Sequence, residues 1–129
     1  MANIKTGVDM VYVPRMKSLV EGGESRAQKL FSQDELAYCK AKDGTWNFER
    51  MAARFAAKEA VLKAMGTGFA NGLYLHDISV GKMENGEPYV ILSAKAQEIF
   101  KKFGGVEMSI SLTHENEYAC AFVIATYES

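Results

Sequence analysis

Two acidic residues, Asp9 and Glu59, occupy positions where apolar residues are expected. Asp9 interrupts the β-rich segment GVDMVYV, and Glu59 interrupts the apolar stripe of a predicted helix. That stripe consists of Phe48, Ala52, Phe55 and Leu62. An ionised carboxylate that faces a core is strongly destabilising unless a cation or strong hydrogen-bond donors compensate it. Because a hard cation such as Mg²⁺ prefers oxygen ligands, the two carboxylates are candidate ligands of a single ion.

The pattern alone leaves a second explanation open, in which each carboxylate pairs with an arginine or a lysine. Lys63 lies one helical turn beyond Glu59, where it either forms an ordinary surface pair or contacts a phosphate oxygen beside the metal. Arg54 and Lys58 add positive charge to the same helix. For Lys58 we favour a position on the solvated face.

The histidines and cysteines carry weaker signals. His114 follows the strand-like segment SISLT at a predicted turn, so a surface histidine is the simplest interpretation. His76 has no motif around it and is interpreted as structural. Cys39 and Cys120 have no CxxC spacing, so we predict two buried or half-buried thiols and no disulfide.

The elements that must position these residues can be predicted from local pattern. Strand one covers 7–13 and ends at Pro14, which disfavours further helix or central strand there. A short helix over 15–22 stops at Gly22-Gly23, and a second begins near Arg26 and restarts near Ser32, which opens a capping box. The segment 47–65 lacks proline and glycine and is the most strongly predicted helix.

The second half of the chain reads mainly as strands. We predict strands at 78–83 and 88–92 joined by a turn at 84–86, a helix at 94–103 capped by Ser93, and strands at 107–113 and 118–127 joined by a turn at 114–117. The expected fold is therefore α+β, a mostly antiparallel sheet packed around one long helix. With 129 residues, the chain is predicted to form a single domain over 1–129.

Composition excludes several classes of function. The formal net charge is −1, so no global basic field recruits nucleic acid or an anionic membrane. The amino terminus has no secretory pattern, and no stretch approaches a membrane span. We therefore expect a cytoplasmic protein with no nucleic-acid or membrane partner.

Five segments together resemble the holo-acyl-carrier-protein synthases, which are 4′-phosphopantetheinyl transferases. The segments are GVDMVYVPRM, FSQDELAYC, RFAAKEAVLKAMGTG, NGEPY and SISLTHENEYACAFVI. The resemblance runs from Gly7 to about Ile124. It implies transfer of the 4′-phosphopantetheine group from coenzyme A to a serine of an acyl carrier protein of fatty-acid synthesis, with release of adenosine 3′,5′-bisphosphate.

The resemblance also implies roles for individual residues. Asp9 and Glu59 would be the Mg²⁺ ligands, and Glu59 is the candidate acceptor of the serine proton, directly or through a water. Lys63 would contact the phosphates of coenzyme A. The expected lining of the coenzyme A pocket comprises Gly66, Thr67, Gly68, Pro88, His114 and Arg54.

The family's assembly and partner follow in the same way. The resemblance implies a homotrimer with active sites between neighbouring subunits, and a carrier surface at Arg15 and the following helix, extended by Arg26 and Lys29. Two alternatives stay open: a transferase that serves a polyketide or peptide synthase carrier, and a coenzyme-A-binding or carrier-binding module without catalysis. Retention of Asp9, Glu59 and Lys63 argues against the second, because a pure binder has no need of metal ligands.

Overall fold

The computed structural model describes residues 2–66 and 72–128, with the side chain of Ala2 left out. Their order is β1 (Ala2–Tyr12), α1 (Val13–Val20), α2 (Glu24–Leu30), α3 (Gln33–Cys39), α4 (Phe48–Met65), β2 (Ile78–Lys82), β3 (Pro88–Leu92), α5 (Ala94–Lys102), β4 (Gly105–Glu115) and β5 (Tyr118–Glu128). A short 3-10 turn, Leu75–Asp77, precedes β2. The α+β prediction is confirmed.

The described strands form two antiparallel sheets. The larger has the order β1-β5-β4, and the smaller is the β2-β3 hairpin. Strand β1 pairs with β5 along its whole length, from Ala2 opposite Glu128 to Tyr12 opposite Tyr118. That pairing extends the strand five residues beyond the predicted start at Gly7. Among the described residues no helix combines the length and apolarity needed to cross a membrane.

Helix α4 lies against one face of the larger sheet. Its contact surface is built from alanines, since Ala56, Ala57, Ala60 and Ala64 are fully buried, and β5 presents Ala119, Ala121 and Ala125 toward the core. Small side chains let the helix backbone approach the sheet closely. The approach is closest at Gly7, where a Cβ atom would overlap the backbone carbonyl of Ala60. Only glycine fits at this position. Asp9 lies two residues further along β1 on the same face, so it is at the same interface with α4.

The variant Gly7→Ala tests this close approach. We expect it to lower the free energy of unfolding by about 1–3 kcal/mol, because β1 must shift away from α4 to admit the methyl group. Urea denaturation measures the change. Asn3→Ala, at an exposed position on the same strand and the same face as Gly7, is the matched control and should stay within about 0.5 kcal/mol of wild type. Equal stability of the Gly7→Ala protein would contradict the packing described.

The first helices differ from the prediction by a shift of two residues. Helix α1 begins at Val13, with Pro14 in its first turn, so the predicted strand end at Val13 and the predicted helix start at 15 were wrong. Proline is tolerated in the first turn because its missing N–H has no intrahelical partner there. The Val13 N–H instead donates to the carbonyl of Glu117 at 2.7 Å, which turns the chain out of the sheet.

The other local predictions hold with small changes of boundary. Ser32 and Glu35 form the expected capping box at α3, Asn47 caps α4, and Ser93 caps α5. The β2-β3 hairpin turns where Asn85-Gly86 predicted it. Both cysteines are free, with Cys39 buried and Cys120 half-buried.

A buried ion pair corrects the prediction for Lys58. This side chain is fully buried, and its Nζ lies 2.6 Å from Glu35 Oε1. It also donates to the carbonyls of Leu75, at 3.2 Å, and Ile78. Glu35 accepts in turn from the Val80 N–H at 3.0 Å. The pair therefore joins α3, α4 and β2, and Lys58 lies in the core instead of on a solvated face.

The outer face of the larger sheet is apolar and is not covered by any described part of the chain. Val8, Met10 and Phe122 are 53%, 63% and 43% exposed. Ile4, Tyr12, Tyr118 and Ile124 extend the same exposed apolar set. Monomeric soluble proteins rarely expose a contiguous apolar surface of this kind.

Candidate active site

The two acidic residues singled out from the sequence meet at the β1-α4 interface. Asp9 is half-buried on the inward face of β1, and Glu59 is half-buried on α4. Lys63 lies between the two elements, with its Nζ 3.3 Å from Asp9 Oδ1 and 2.9 Å from the carbonyl of Val8. Asp9, Glu59 and Lys63 are called the acidic site below.

The two carboxylates of the acidic site interact electrostatically. Burial raises the pKa of Glu59, the negative charge of Asp9 raises it further, and Lys63 opposes both. Glu59 has no ion pair within 4.0 Å among the described residues, since Lys63 is directed to Asp9. Of the two neighbouring carboxylates only Asp9 is paired with the exposed Lys63, which leaves net negative charge at this point of the structure.

This donor set fits a hard divalent cation. Carboxylate oxygens are the preferred protein ligands of Mg²⁺, which commonly uses one or two of them and completes its coordination with water and substrate phosphate. Within 2–66 and 72–128 there is no group of three or more histidine, cysteine or acidic side chains that could hold a metal alone. The acidic site therefore suits an ion shared with a phosphate-bearing substrate better than a closed structural site.

A second candidate surface lies around Tyr38 on α3. Three adjoining clefts share Tyr38 and Arg54, and they are called the Tyr38 groove. Its further lining includes two residues named from the sequence, Pro88 and His114. Two cationic residues that sequence reasoning did not assign to the site, Arg50 and Lys82, also line it.

Arg54 is the central cation of the Tyr38 groove. Its side chain is only 7% exposed, and its guanidinium carbon lies 4.1 Å from the centroid of the Tyr38 ring. The buried Nε atom has no hydrogen-bond partner among the described residues. A buried guanidinium that lacks an acceptor costs free energy, so an anion in the groove would satisfy it.

His114 differs from its predicted place in a turn. It lies within β4 opposite Ala119, because β4 continues to Glu115 before the chain turns. Its Nδ1 is 3.3 Å from Glu49 Oε2 in the first turn of α4, and both side chains are more than half exposed. The histidine thus stands at the rim of the Tyr38 groove, beside the amino end of the long helix.

One subunit keeps the two candidate surfaces apart. Asp9 is on β1 and His114 is on β4, which are opposite edges of the sheet with β5 between them. The clefts that form the Tyr38 groove are not lined by Asp9, Glu59 or Lys63. The sequence-predicted residues therefore fall into two groups rather than into a single pocket.

The glycine-rich segment after α4 is described only at its first residue. Gly66 adopts a left-handed conformation with φ of 73° and ends the helix, which matches the predicted cap. Thr67 and Gly68, the other two predicted contacts of coenzyme A in this segment, lie outside the described residues. The three basic residues named for a carrier surface, Arg15, Arg26 and Lys29, are exposed on α1 and α2.

Comparisons with known proteins agree over nearly the whole chain. The model of the 4′-phosphopantetheinyl transferase superfamily matches residues 5–123. A holo-[acyl-carrier-protein] synthase of Koribacter versatilis is 39% identical over 120 residues, which cover 92% of this chain and 94% of the relative.

Solved structures give the same result for the fold. The holo-[acyl-carrier-protein] synthase of Neisseria meningitidis has a TM-score of 0.84 at 28% identity, covering 94% of this chain and 96% of that chain. The Helicobacter pylori synthase in complex with coenzyme A has a TM-score of 0.79 at 28% identity, covering 93% and 98%.

Proposed function

Because the chain belongs to the holo-[acyl-carrier-protein] synthases of the 4′-phosphopantetheinyl transferase superfamily, we propose that it transfers phosphopantetheine from coenzyme A to a serine of an acyl carrier protein in a Mg²⁺-dependent reaction. The observation that carries the metal dependence is the pair of half-buried carboxylates, Asp9 and Glu59, of which only Asp9 is paired with a lysine. Coenzyme A contains a diphosphate, and the acidic site suits a cation shared with such a group.

In the proposed reaction the carrier serine oxygen attacks the phosphorus that bears the pantetheine arm. A new P–O bond forms, the P–O bond of the diphosphate breaks, and adenosine 3′,5′-bisphosphate leaves. A cation held by Asp9 and Glu59 would supply Lewis-acid stabilisation of the charge that develops during the transfer. Such transfers depend mainly on positioning and electrostatics, so no nucleophilic side chain is required of the protein.

The remaining tasks fall to residues of the acidic site and the Tyr38 groove. Asp9 and Glu59 hold the cation, and Lys63 donates to a phosphate oxygen of the substrate. Glu59 accepts the serine proton, directly or through a water. Arg54 and His114 bind a phosphate or the ribose of the nucleotide, with Gly66, Thr67, Gly68 and Pro88 lining the same pocket.

We further propose that the enzyme is a trimer whose active sites lie between subunits. Two features of the single subunit support this. The apolar outer face of the sheet, with Val8, Met10 and Phe122, requires cover. The acidic site and the Tyr38 groove lie toward opposite edges of the sheet, so a neighbouring copy allows one subunit's groove to face the other's carboxylates.

A subunit-complementation experiment tests the shared site. Asp9→Asn and Arg54→Met trimers should each be nearly inactive, whereas mixed trimers should regain activity. In a random equal mixture about a quarter of the interfaces combine an intact acidic site with an intact groove. Each homotrimer, unfolded and refolded alone, is the control. No recovery in mixtures whose co-assembly is verified by mass spectrometry would place each site within one subunit.

The apolar face gives a separate prediction about assembly. Phe122→Asp places a charge at the centre of this face, so we expect a monomer by sedimentation, with transfer activity lost. Lys102→Asp, an exposed change at the end of α5, is the matched control and should sediment as a trimer. A trimeric Phe122→Asp protein would show that the subunits meet elsewhere.

The carrier is proposed to dock on the basic surface at Arg15 and the following helix, extended by Arg26 and Lys29. Their exposure on adjacent helices supports electrostatic attraction of an acidic partner although the whole chain is nearly neutral. A cytoplasmic location is proposed as well, in keeping with two free cysteines in a reducing compartment.

The mass of an apo-acyl carrier protein tests the proposed function directly. After incubation with this protein, coenzyme A and Mg²⁺, the carrier should gain one phosphopantetheine, and chelation of the metal should abolish the gain. Transfer that persists in full with chelator would overturn the metal dependence. Parallel reactions with a peptide synthase carrier identify the preferred partner. Binding of coenzyme A without any mass gain on either carrier would instead identify a non-catalytic module.

A further inference from the structure

One aromatic ring, that of Tyr38, lies among three cationic side chains from other elements. The guanidinium carbons of Arg54 and Arg50 are 4.1 Å and 4.4 Å from the ring centroid, and Lys82 Nζ is 5.4 Å from it. All three are within the range of cation–π attraction. Arg50 also donates from Nη1 to the Tyr38 carbonyl at 3.0 Å, and Lys82 Nζ is 3.5 Å from the Tyr38 hydroxyl.

The three cations have no carboxylate partners in the described structure. Among residues 2–66 and 72–128, none of Arg50, Arg54 and Lys82 forms an ion pair within 4.0 Å. The nearby acidic side chains are otherwise engaged or lie at the edge of the groove. Glu35 is paired with Lys58, Glu49 faces His114, and Asp34 lines one of the three clefts. The Tyr38 groove therefore carries an excess of positive charge.

The ring is fixed in place by the core beneath it. Tyr38 stands one turn after Glu35 on α3, and Glu35 is anchored to Lys58 of α4 and to the N–H of Val80 on β2. Arg54 lies one turn before Lys58, and Lys82 lies two residues after Val80. The buried pair thus holds together the three elements that carry the ring and its three cations.

We propose that Tyr38 is a positioning residue that gathers these cations around the phosphomonoester of coenzyme A, and so sets the preference for coenzyme A over its 3′-dephosphorylated form. The π face of the ring offsets the repulsion among three like charges, which would otherwise separate into solvent. Guanidinium groups held in fixed orientation suit a phosphate dianion. The buried Nε of Arg54 has no hydrogen-bond acceptor among the described residues, so the guanidinium lacks a partner that a phosphate would supply. This inference rests on the proposed function, since it names the ligand group of the same site.

The test compares coenzyme A with 3′-dephospho-coenzyme A as donors for the same apo carrier. Tyr38→Met and Tyr38→Gln both delete the ring, so the outcome does not depend on one variant folding. Each should raise the KM for coenzyme A about tenfold, the effect of losing one charge-assisted contact, and leave kcat within about twofold. The KM for the dephospho donor should stay unchanged. Tyr38→Phe keeps the ring and should retain the wild-type preference.

Two controls separate positioning from a general structural effect. Trp46→Leu removes a second aromatic ring with a cation over its face, since Lys40 Nζ is 4.9 Å from the centroid of the Trp46 ring. This change should not alter the preference between the two donors. A double-mutant cycle with Arg50→Met should be strongly non-additive in the KM for coenzyme A if Tyr38 acts through that arginine. Equal loss for both donors in the ring-deletion variants, or a wild-type enzyme indifferent to the 3′-phosphate, would overturn the proposal. Absence of any transfer by wild type would refute the proposed function instead.

Discussion

Replacing Glu59 with glutamine is expected to leave the fold and the oligomeric state unchanged while lowering phosphopantetheine transfer at least roughly tenfold. The variant keeps the shape of the side chain and removes its negative charge. Two tasks depend on that charge: binding of the cation with Asp9 and acceptance of the serine proton. Because burial already destabilises the ionised form, removing the charge should not weaken the fold. Steady-state transfer at saturating Mg²⁺ measures the effect.

Glu98→Gln provides the matched control for this change. Glu98 is an exposed helical glutamate on α5, away from both candidate surfaces, and the variant should keep wild-type turnover. Raising the Mg²⁺ concentration separates the two tasks of Glu59, since weakened metal binding can be restored by mass action whereas a missing proton acceptor cannot. Normal turnover of the Glu59→Gln enzyme would remove this residue from the chemistry.

The largest loss of stability is expected from Lys58→Met. Removing the cation leaves Glu35 buried without its charge partner, which costs about 3–5 kcal/mol in comparable buried pairs. The carbonyls of Leu75 and Ile78 lose a donor as well. Burying the charged lysine costs free energy even when the pair is intact. Burial lowers the pKa of Lys58, and the charge of Glu35 offsets only part of that lowering. Denaturant unfolding of the wild type and of the Lys58→Met variant measures the difference in the free energy of unfolding.

The double variant Lys58→Met/Glu35→Gln distinguishes an unpaired charge from a general packing defect. It removes both charges and keeps one carbonyl oxygen, which can accept from either the Ser32 or the Val80 N–H, so it should be more stable than Lys58→Met alone. Lys102→Met, an exposed change on α5, should stay within about 0.5 kcal/mol of wild type. A cost below about 1 kcal/mol for Lys58→Met would mean that water reaches the pair.

Sequence pattern located the acidic site because local rules determine which way these side chains face. Alternation along β1 placed Asp9 on the same face as Gly7 without deciding which face is buried, and the helical repeat placed Glu59 on an apolar stripe. Both assignments depend only on residues that are a few positions apart in the sequence. That the two carboxylates lie side by side depends on the packing of β1 against α4, which the sequence suggests only through the glycine and the alanines. Their roles as metal ligands remain predictions.

The error at Lys58 has the opposite origin. Its partner Glu35 is 23 residues away, and no periodicity along α4 reveals that a lysine will meet a buried glutamate from another helix. The charge pattern of a single helix therefore favoured the solvated face. His114 was misplaced for a different reason, since β4 continues two residues past its predicted end at 113 and pairs with the start of β5. The first error comes from a long-range contact, and the second from a tighter turn than the polar residues indicated.

The apolar outer face had a signal in the sequence that local analysis did not use. A sheet with one solvated face alternates apolar and polar residues, yet β1 has Val8, Met10 and Tyr12 on the side away from α4. Such a strand indicates that both faces are covered. The separation of the Tyr38 groove from the acidic site has no equivalent signal, because it depends on how β1, β5 and β4 are ordered in the sheet.

The most direct test of the central claim is the position of a divalent cation in crystals grown with coenzyme A and Mn²⁺, a stand-in for Mg²⁺ that anomalous scattering can locate. We expect one peak per active site, within coordination distance of carboxylate oxygens of both Asp9 and Glu59 and of a diphosphate oxygen. A cation bound to the diphosphate and to neither carboxylate, or carboxylates too far apart to reach one ion, would contradict it.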